Sequence, residues 1–203
     1  MARHAHFSMV RSFHLADLIT LLNGACGMLA ILTCLDHVIS NVSITPAFYL
    51  LPLGGFFDWL DGRIARLRNA TSLLGQELDS LCDLLTFGVA PSVLAYTLGM
   101  RTLGDKIILV VFALCGLARL ARYNATVASI PKGEKGAIKY FEGIPVPSSL
   151  FLVFWLYFNQ DFTGWWMQVD SSIVFGIPVT RMAWCWLGLG FAMVSRTLRI
   201  PKL

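Results

Sequence analysis

Asp58 and Asp61 stand three residues apart, and Asp79 and Asp83 stand four apart, within the stretch "FDWLDGRIARLRNATSLLGQELDSLCD" at residues 57–83. On helices each pair shares a face. Four carboxylates in a small volume repel one another, and a nearby membrane adds to their desolvation. Such a set either takes up protons or binds cations. Oxygen-only ligands suit hard ions such as Mg2+, Mn2+ or Ca2+ rather than zinc. Two divalent ions would balance the four negative charges, and a metal pair is the usual device for phosphoryl transfer. Gly62 and Gly75 leave room for backbone to approach a ligand. Ala65 adds a small surface on the same side, and Arg66 offers a planar donor set for phosphate. Two rival readings stay open on these residues alone. The carboxylates could cap helix ends and pair with Arg63, Arg66 and Arg68, or they could form an ion relay in a transporter. Capping would occupy one carboxylate readily, but four at these spacings only at high cost.

The elements that must hold these residues are apolar. Hydrophobic residues make up 56% of the 203-residue chain and charged ones 14%, with a mean hydropathy of +0.66. Soluble domains carry roughly 25% charged residues, so a bilayer is the expected solvent. Six apolar stretches run over about residues 15–35, 45–66, 79–98, 106–123, 145–158 and 182–197. In lipid every backbone group must be bonded internally, which makes these helices. The expected fold is therefore an all-α integral membrane protein with six transmembrane helices. A hairpin of the second and third spans would bring the two aspartate pairs face to face. Gly24, Gly27, Gly188 and Gly190 are small residues that let helices approach closely. Asp17, Thr20 and Asn23 fall at spacings of three on one face of the first span, placed either to reach a ligand or to bond neighbouring helices.

The charges set the orientation. Thirteen of the sixteen Lys and Arg residues fall at the N-terminus, the second and fourth connections and the C-terminus; Arg101, Lys106 and Arg181 lie opposite. The positive-inside rule then places both termini and the aspartates on the cytoplasmic face. Trp165, Trp166 and Trp184 mark the far interface. Asn41-Val42-Ser43 forms a glycosylation sequon in a far-side loop close to the membrane. Residues 1–14 are polar and basic, unlike a cleavable signal peptide, and read as a short interfacial segment. A single catalytic domain over residues 15–203 follows. The basic residues are spread through short loops, which argues against nucleic-acid binding. Cys26, Cys34, Cys82, Cys115 and Cys185 show no metal or redox spacing, nor do the four histidines.

The spacing D-x2-D-G-x2-A-R-x8-G-x3-D-x3-D is matched at every position by Asp58, Asp61, Gly62, Ala65, Arg66, Gly75, Asp79 and Asp83. In this the chain resembles the CDP-alcohol phosphatidyltransferases. The resemblance implies that family's fold, with six membrane helices and a homodimer. It implies that Asp58, Asp61, Asp79 and Asp83 bind two divalent cations, Mg2+ or Mn2+. It further implies that Gly62, Ala65, Arg66 and Gly75 line the CDP pocket and that Asp83 is the general base.

The core signature leaves the acceptor alcohol open. "FHLADLITLLNGACGMLAI", "LARLARYNATVASIP", "KYFEGIPVP" and "SRTLRIPK" are similar to the membrane-embedded, serine-using members, the fungal ones above all. That likeness implies CDP-diacylglycerol and L-serine as substrates and the endoplasmic reticulum as the location. Tyr123 stands where a Phe is common. A serine carboxylate needs a cationic clamp. Arg119 and Arg122, three apart with Tyr123 and Asn124 adjacent, are placed for it at the end of the fourth span. They would otherwise be ordinary snorkelling arginines. Lys135 and Lys139 are candidates for phosphate or lipid headgroups. Inositol, glycerol 3-phosphate or an amino alcohol are the rival acceptors within the same chemistry.

Overall fold

The computed structural model describes residues 15–67, 73–129, 140–158, 169–174, 177–195 and 199–201. The N-terminal segment, Lys135, Lys139, Trp165 and Trp166 lie outside the described residues, as do the side chains of Ala65 and Arg66. Among the described residues, seven α-helices make six rods: α1 (Leu15–Ser40), α2 (Thr45–Leu67), a composite of α3 (Leu73–Asp83) and α4 (Ala90–Leu98), α5 (Leu103–Ser129), α6 (Ser149–Phe158) and α7 (Ala183–Val194). A π-helical segment, Leu84–Val89, joins α3 to α4. Among the described residues, two helices, Ala16–Ser40 and Leu74–Leu98, are long and apolar enough to cross a membrane.

The described residues are mainly helical, as the all-α expectation has it, with one small addition. Two small antiparallel sheets are present: β1 (Tyr140–Glu142) pairs with β4 (Arg199–Pro201), and β2 (Val169–Val174) pairs with β3 (Ile177–Thr180). Both join segments between or after the rods, where short extended backbones satisfy their own N–H and C=O groups by pairing. The third rod also begins six residues earlier than its apolar stretch, at Leu73 instead of Asp79. Its first turns contain Gly75, Gln76 and Glu77, so hydropathy alone misses them although the helix continues.

Aromatic and sulfur-bearing side chains are prominent alongside the aliphatic residues of the core. Trp186, Phe87, Phe112, Met100, Met182 and Met193 are all fully buried. Phe112 of α5 meets Trp186 of α7 edge to face, with centroids 4.7 Å apart. The outside is equally apolar. Leu18, Leu29, Ile39, Phe151, Phe158 and Phe191 are each at least half exposed. Water would penalise such a surface, whereas acyl chains would not.

Glycine controls how closely the first three rods approach. A Cβ on Gly27 of α1 would sit 2.6 Å from Thr86 Oγ1 and 2.9 Å from Thr86 Cα. One on Gly54 of α2 would sit 2.7 Å from Thr86 Cγ2. Thr86, in the π segment, is thus gripped between α1 and α2 and is fully buried. Gly188, also expected to serve a close approach, has nothing within 4 Å of its would-be Cβ. Gly190 would make only ordinary contact, 3.5 Å from Phe112 Cα. Of these helix glycines, those of α1 and α2 make the close approach to the π segment, and those of α7 do not.

The far end of α5 is fastened separately. Thr102 N donates to Asp105 Oδ2 and Asp105 N donates to Thr102 Oγ1, both at 3.1 Å, a reciprocal N-terminal cap. Asp105 Oδ1 accepts from both N and Oγ1 of Thr180, each at 2.9 Å, which ties β3 to α5.

Candidate active site

Asp58 and Asp61 project from one face of α2, and Asp79 and Asp83 from one face of α3, the face relation that spacings of three and four dictate. The two helices bring these faces together. Carboxylate oxygens of Asp58, Asp61 and Asp79 all lie within 4.8 Å of one another. Asp58 is within hydrogen-bonding reach of Asp83. Asp83 also lies in the electrostatic field of Asp79 and Asp61, so all four acids form one cluster. Asp61 is buried and the other three are partly buried.

The first helix supplies the donors. Thr20 Oγ1 lies 2.6 Å from Asp61 Oδ2, and Asn23 Nδ2 donates to Asp83 Oδ1 at 3.1 Å. Asn23 is itself held, since its backbone carbonyl oxygen accepts from Thr86 Oγ1 at 3.0 Å. Asp17, buried on the same stripe, adds its negative field to Asp61. Of the two roles open to this polar face, the structure realises helix-to-helix bonding, and the partners are the site carboxylates themselves.

The donor set fits a hard cation. Bonds of about 2.0–2.6 Å from oxygen to Mg2+ or Ca2+ allow ligand oxygens on opposite sides of one ion to lie roughly 4–5 Å apart. The span of 4.8 Å observed for three carboxylates meets that condition. Asp79 Oδ1 is buried and has no hydrogen-bond partner among the described residues. A buried carboxylate oxygen without a donor is costly, and coordination of a cation removes the cost. Asp105 is the contrast within the same chain, since both of its oxygens accept hydrogen bonds.

Among the remaining sequence candidates, the Gly62 backbone lies within hydrogen-bonding reach of the Asp61 carboxyl. Gly75 is half-buried in the first turns of α3. From α5, Arg119 faces the cluster closely enough to interact electrostatically with Asp83. Its Nε is buried with no hydrogen-bond partner among the described residues. Arg122 Nη1 donates to Val194 O at 3.2 Å, at the C-terminal end of α7. Tyr123 is 42% exposed. Asn124 bridges to α3, accepting from Ser80 Oγ and donating to Glu77 Oε2, both at 3.2 Å. Sequence reading missed this bridge. Its signal was present in Glu77 and Ser80, three apart on a helix face adjoining the aspartates.

A second fixed point lies behind α5. Gly143, in "FEGIPVP", has φ +77°, and a Cβ there would run into Met193 O of α7. Both the left-handed backbone and the close approach require glycine. The segment before α6 is thereby pinned to the end of α7 beside the carbonyl that Arg122 engages.

The family model of the CDP-alcohol phosphatidyltransferases matches residues 13–193, which include every residue of the cluster. The chain belongs to the CDP-alcohol phosphatidyltransferase family. That family is membrane-embedded and depends on divalent metal, in keeping with the apolar rods and the acidic cluster. A Saccharomyces cerevisiae relative named CDP-diacylglycerol--serine O-phosphatidyltransferase is 44% identical over 97% of this chain and 74% of its own length. A Bacillus subtilis protein of the same name is 40% identical over 64% of this chain and 67% of its own. An archaetidylserine synthase of Methanothermobacter thermautotrophicus is 31% identical over 79% of this chain and 63% of its own.

Proposed function

We propose that this phosphatidyltransferase moves the phosphatidyl group of CDP-diacylglycerol onto the hydroxyl of L-serine, giving phosphatidylserine and CMP. The convergence of Asp58, Asp61, Asp79 and Asp83 from two facing helices carries the reaction type. Serine as the acceptor is supported by relatives from a fungus, a bacterium and an archaeon whose names all specify serine.

Asp58, Asp61, Asp79 and Asp83 would hold two divalent cations, Mg2+ or Mn2+, whose chemistry is to neutralise the diphosphate and favour departure of CMP. Gly62, Ala65, Arg66 and Gly75 line the CDP pocket, where the glycines admit the nucleotide close to the backbone. Arg119 and Arg122 clamp the serine carboxylate beside Tyr123 and Asn124. The buried, unpartnered Nε of Arg119 supports its part in this, since a planar guanidinium can take a carboxylate by two parallel bonds. Lys135 and Lys139 meet phosphate or lipid headgroups.

Asp83 accepts the serine hydroxyl proton as that oxygen attacks the lipid-linked phosphorus. The bond from serine oxygen to phosphorus forms, the bond from phosphorus to the CMP oxygen breaks, and the proton stays on Asp83. A neutral hydroxyl is a poor nucleophile, so a base within hydrogen-bond reach is needed. One in-line displacement inverts the configuration at phosphorus. Retention in a chiral-phosphate experiment overturns this step.

In the bilayer, all six rods cross, with both termini and the aspartates on the cytoplasmic face. Residues 1–14 lie along the interface and residues 15–203 form the catalytic domain. The family resemblance implies a homodimer, and the likeness to the fungal members implies the endoplasmic reticulum. The deciding experiment measures CMP release from CDP-diacylglycerol by the detergent-solubilised protein with Mg2+ or Mn2+. Serine, inositol and glycerol 3-phosphate are compared as acceptors. Release with serine is expected; release with inositol or glycerol 3-phosphate instead overturns the acceptor. An ion-coupled transporter would release none.

A further inference from the structure

The geometry points to Thr20 and Asn23 of α1 as positioning residues that hold Asp61 and Asp83 in the orientation needed for divalent-metal binding. This rests on the reading of the four aspartates as the metal-binding set. Three observations carry it.

Thr20 Oγ1 sits between two acceptors, Asp61 Oδ2 at 2.6 Å and Ala16 O at 3.1 Å. A hydroxyl has one proton. When Asp61 is ionised, as a cation ligand must be, the 2.6 Å contact requires that proton to lie on the carboxylate side. It is then a charge-assisted bond of the short, strong kind.

Asn23 is fully buried, and its Oδ1 has no hydrogen-bond partner among the described residues. An amide kept in a helix interface with its carbonyl unsatisfied costs stability that an apolar residue of similar size would not. What the amide does accomplish is the 3.1 Å donation to Asp83 Oδ1.

The surroundings hold Asn23 in place. Its backbone carbonyl accepts from Thr86 Oγ1, and a Cβ on Gly54 would stand 3.0 Å from Asn23 Oδ1, so glycine is what leaves the amide its space. A glycine-lined cradle on α2 and the π segment thus serves a side chain on α1 that bonds a carboxylate on α3. The α2–α3 hairpin alone does not complete the site. Donors that orient ligating groups commonly change metal affinity or activity about 10–100-fold when removed.

The test uses the full-length protein in detergent, with Mn2+ as the probe. Free Mn2+ is titrated by electron paramagnetic resonance, and serine-dependent CMP release is measured in parallel. Thr20→Val keeps the β-branched shape and loses the donor. Asn23→Leu keeps the approximate volume and loses the amide. Each is expected to weaken Mn2+ binding by about 10–100-fold, with the rate constant falling more than the Michaelis constant for serine rises. Thr20→Ser restores the hydroxyl and keeps Mn2+ affinity within about twofold of wild type. Thr33→Val, on the same helix away from the site, leaves both readouts unchanged. Wild-type Mn2+ affinity in monodisperse Thr20→Val and Asn23→Leu overturns the assignment. Should Asn23→Leu fail to fold, the Thr20→Val and Thr20→Ser pair decides. The Mn2+ arm needs no turnover, so a protein that binds Mn2+ through Thr20 but releases no CMP with serine refutes the proposed reaction and leaves this assignment standing.

Discussion

Gly27→Ala tests whether the site depends on the close approach of α1. The added methyl would lie 2.6 Å from Thr86 Oγ1, 2.9 Å from Thr86 Cα and 3.1 Å from Thr86 N. Two of these are backbone atoms of a buried segment, so no side-chain rotation relieves the clash. Carbon atoms settle at about 3.5–4.0 Å, so α1 must retreat from the π segment by roughly 0.6–1 Å. Asn23 lies one turn away on the same helix and travels with it. Its bond to Asp83, now 3.1 Å, would then stretch past the useful range of about 2.7–3.2 Å. Overpacking of this kind costs about 1–3 kcal/mol. Higher helix propensity of alanine returns about 1 kcal/mol, which leaves a net loss on the order of 0–2 kcal/mol. The larger effect is on turnover, because a misplacement near 1 Å can cost about 100-fold. Thermal unfolding in detergent and CMP release read the two consequences separately, with Gly188→Ala as the control that meets nothing within 4 Å. A Gly27→Ala protein with wild-type melting temperature and wild-type turnover would refute the packing argument.

Three further substitutions separate the roles assigned here. Asp83→Asn should lose nearly all turnover while CDP-diacylglycerol binding, followed with a radiolabelled lipid, persists; turnover within about tenfold of wild type would remove Asp83 as the base. Arg119→Lys should raise the Michaelis constant for serine at least tenfold and that for the lipid little, since a point charge loses the fork geometry; equal rises for both would take Arg119 out of the serine site. Asp105→Ala should leave the rate constant intact but cost about 2–4 kcal/mol in stability, because Thr102 and Thr180 lose their acceptor; an unchanged melting temperature would show that the tie between α5 and β3 contributes nothing.

The aspartate faces were legible in the sequence because spacings of three and four determine a helical face whatever the surroundings. The apolar rods were legible as apolar runs, two of which, Ala16–Ser40 and Leu74–Leu98, are long enough to cross a membrane. What lay across from a face was not legible. Asp17, Thr20 and Asn23 plainly shared a side, but only the tertiary arrangement shows Thr20 against Asp61 and Asn23 against Asp83. Glycine roles were likewise ambiguous: Gly27 and Gly188 look alike in an apolar run, yet one touches backbone and the other nothing. The start of α3 escaped notice because its first turns are polar. The strands escaped because runs of three to six residues become strands only through a distant partner, as Tyr140–Glu142 does with Arg199–Pro201.

The π segment has a consequence for chain length. Between Asp83 and Ala90 the backbone switches to bonds reaching five residues back, as from Ala90 N–H to Leu85 O. Each such turn absorbs one residue more than an α-turn, equivalent to about 100° of helical phase. The segment therefore acts as a phase shifter inside one rod. It sets the angle between the half that carries Asp79 and Asp83 and the half that buries Leu94 and Ala95. Removing a single residue there would shift the helical phase by about 100° and swing the two aspartates off the face that meets α2. In these six positions the number of residues constrains the site as firmly as their identities.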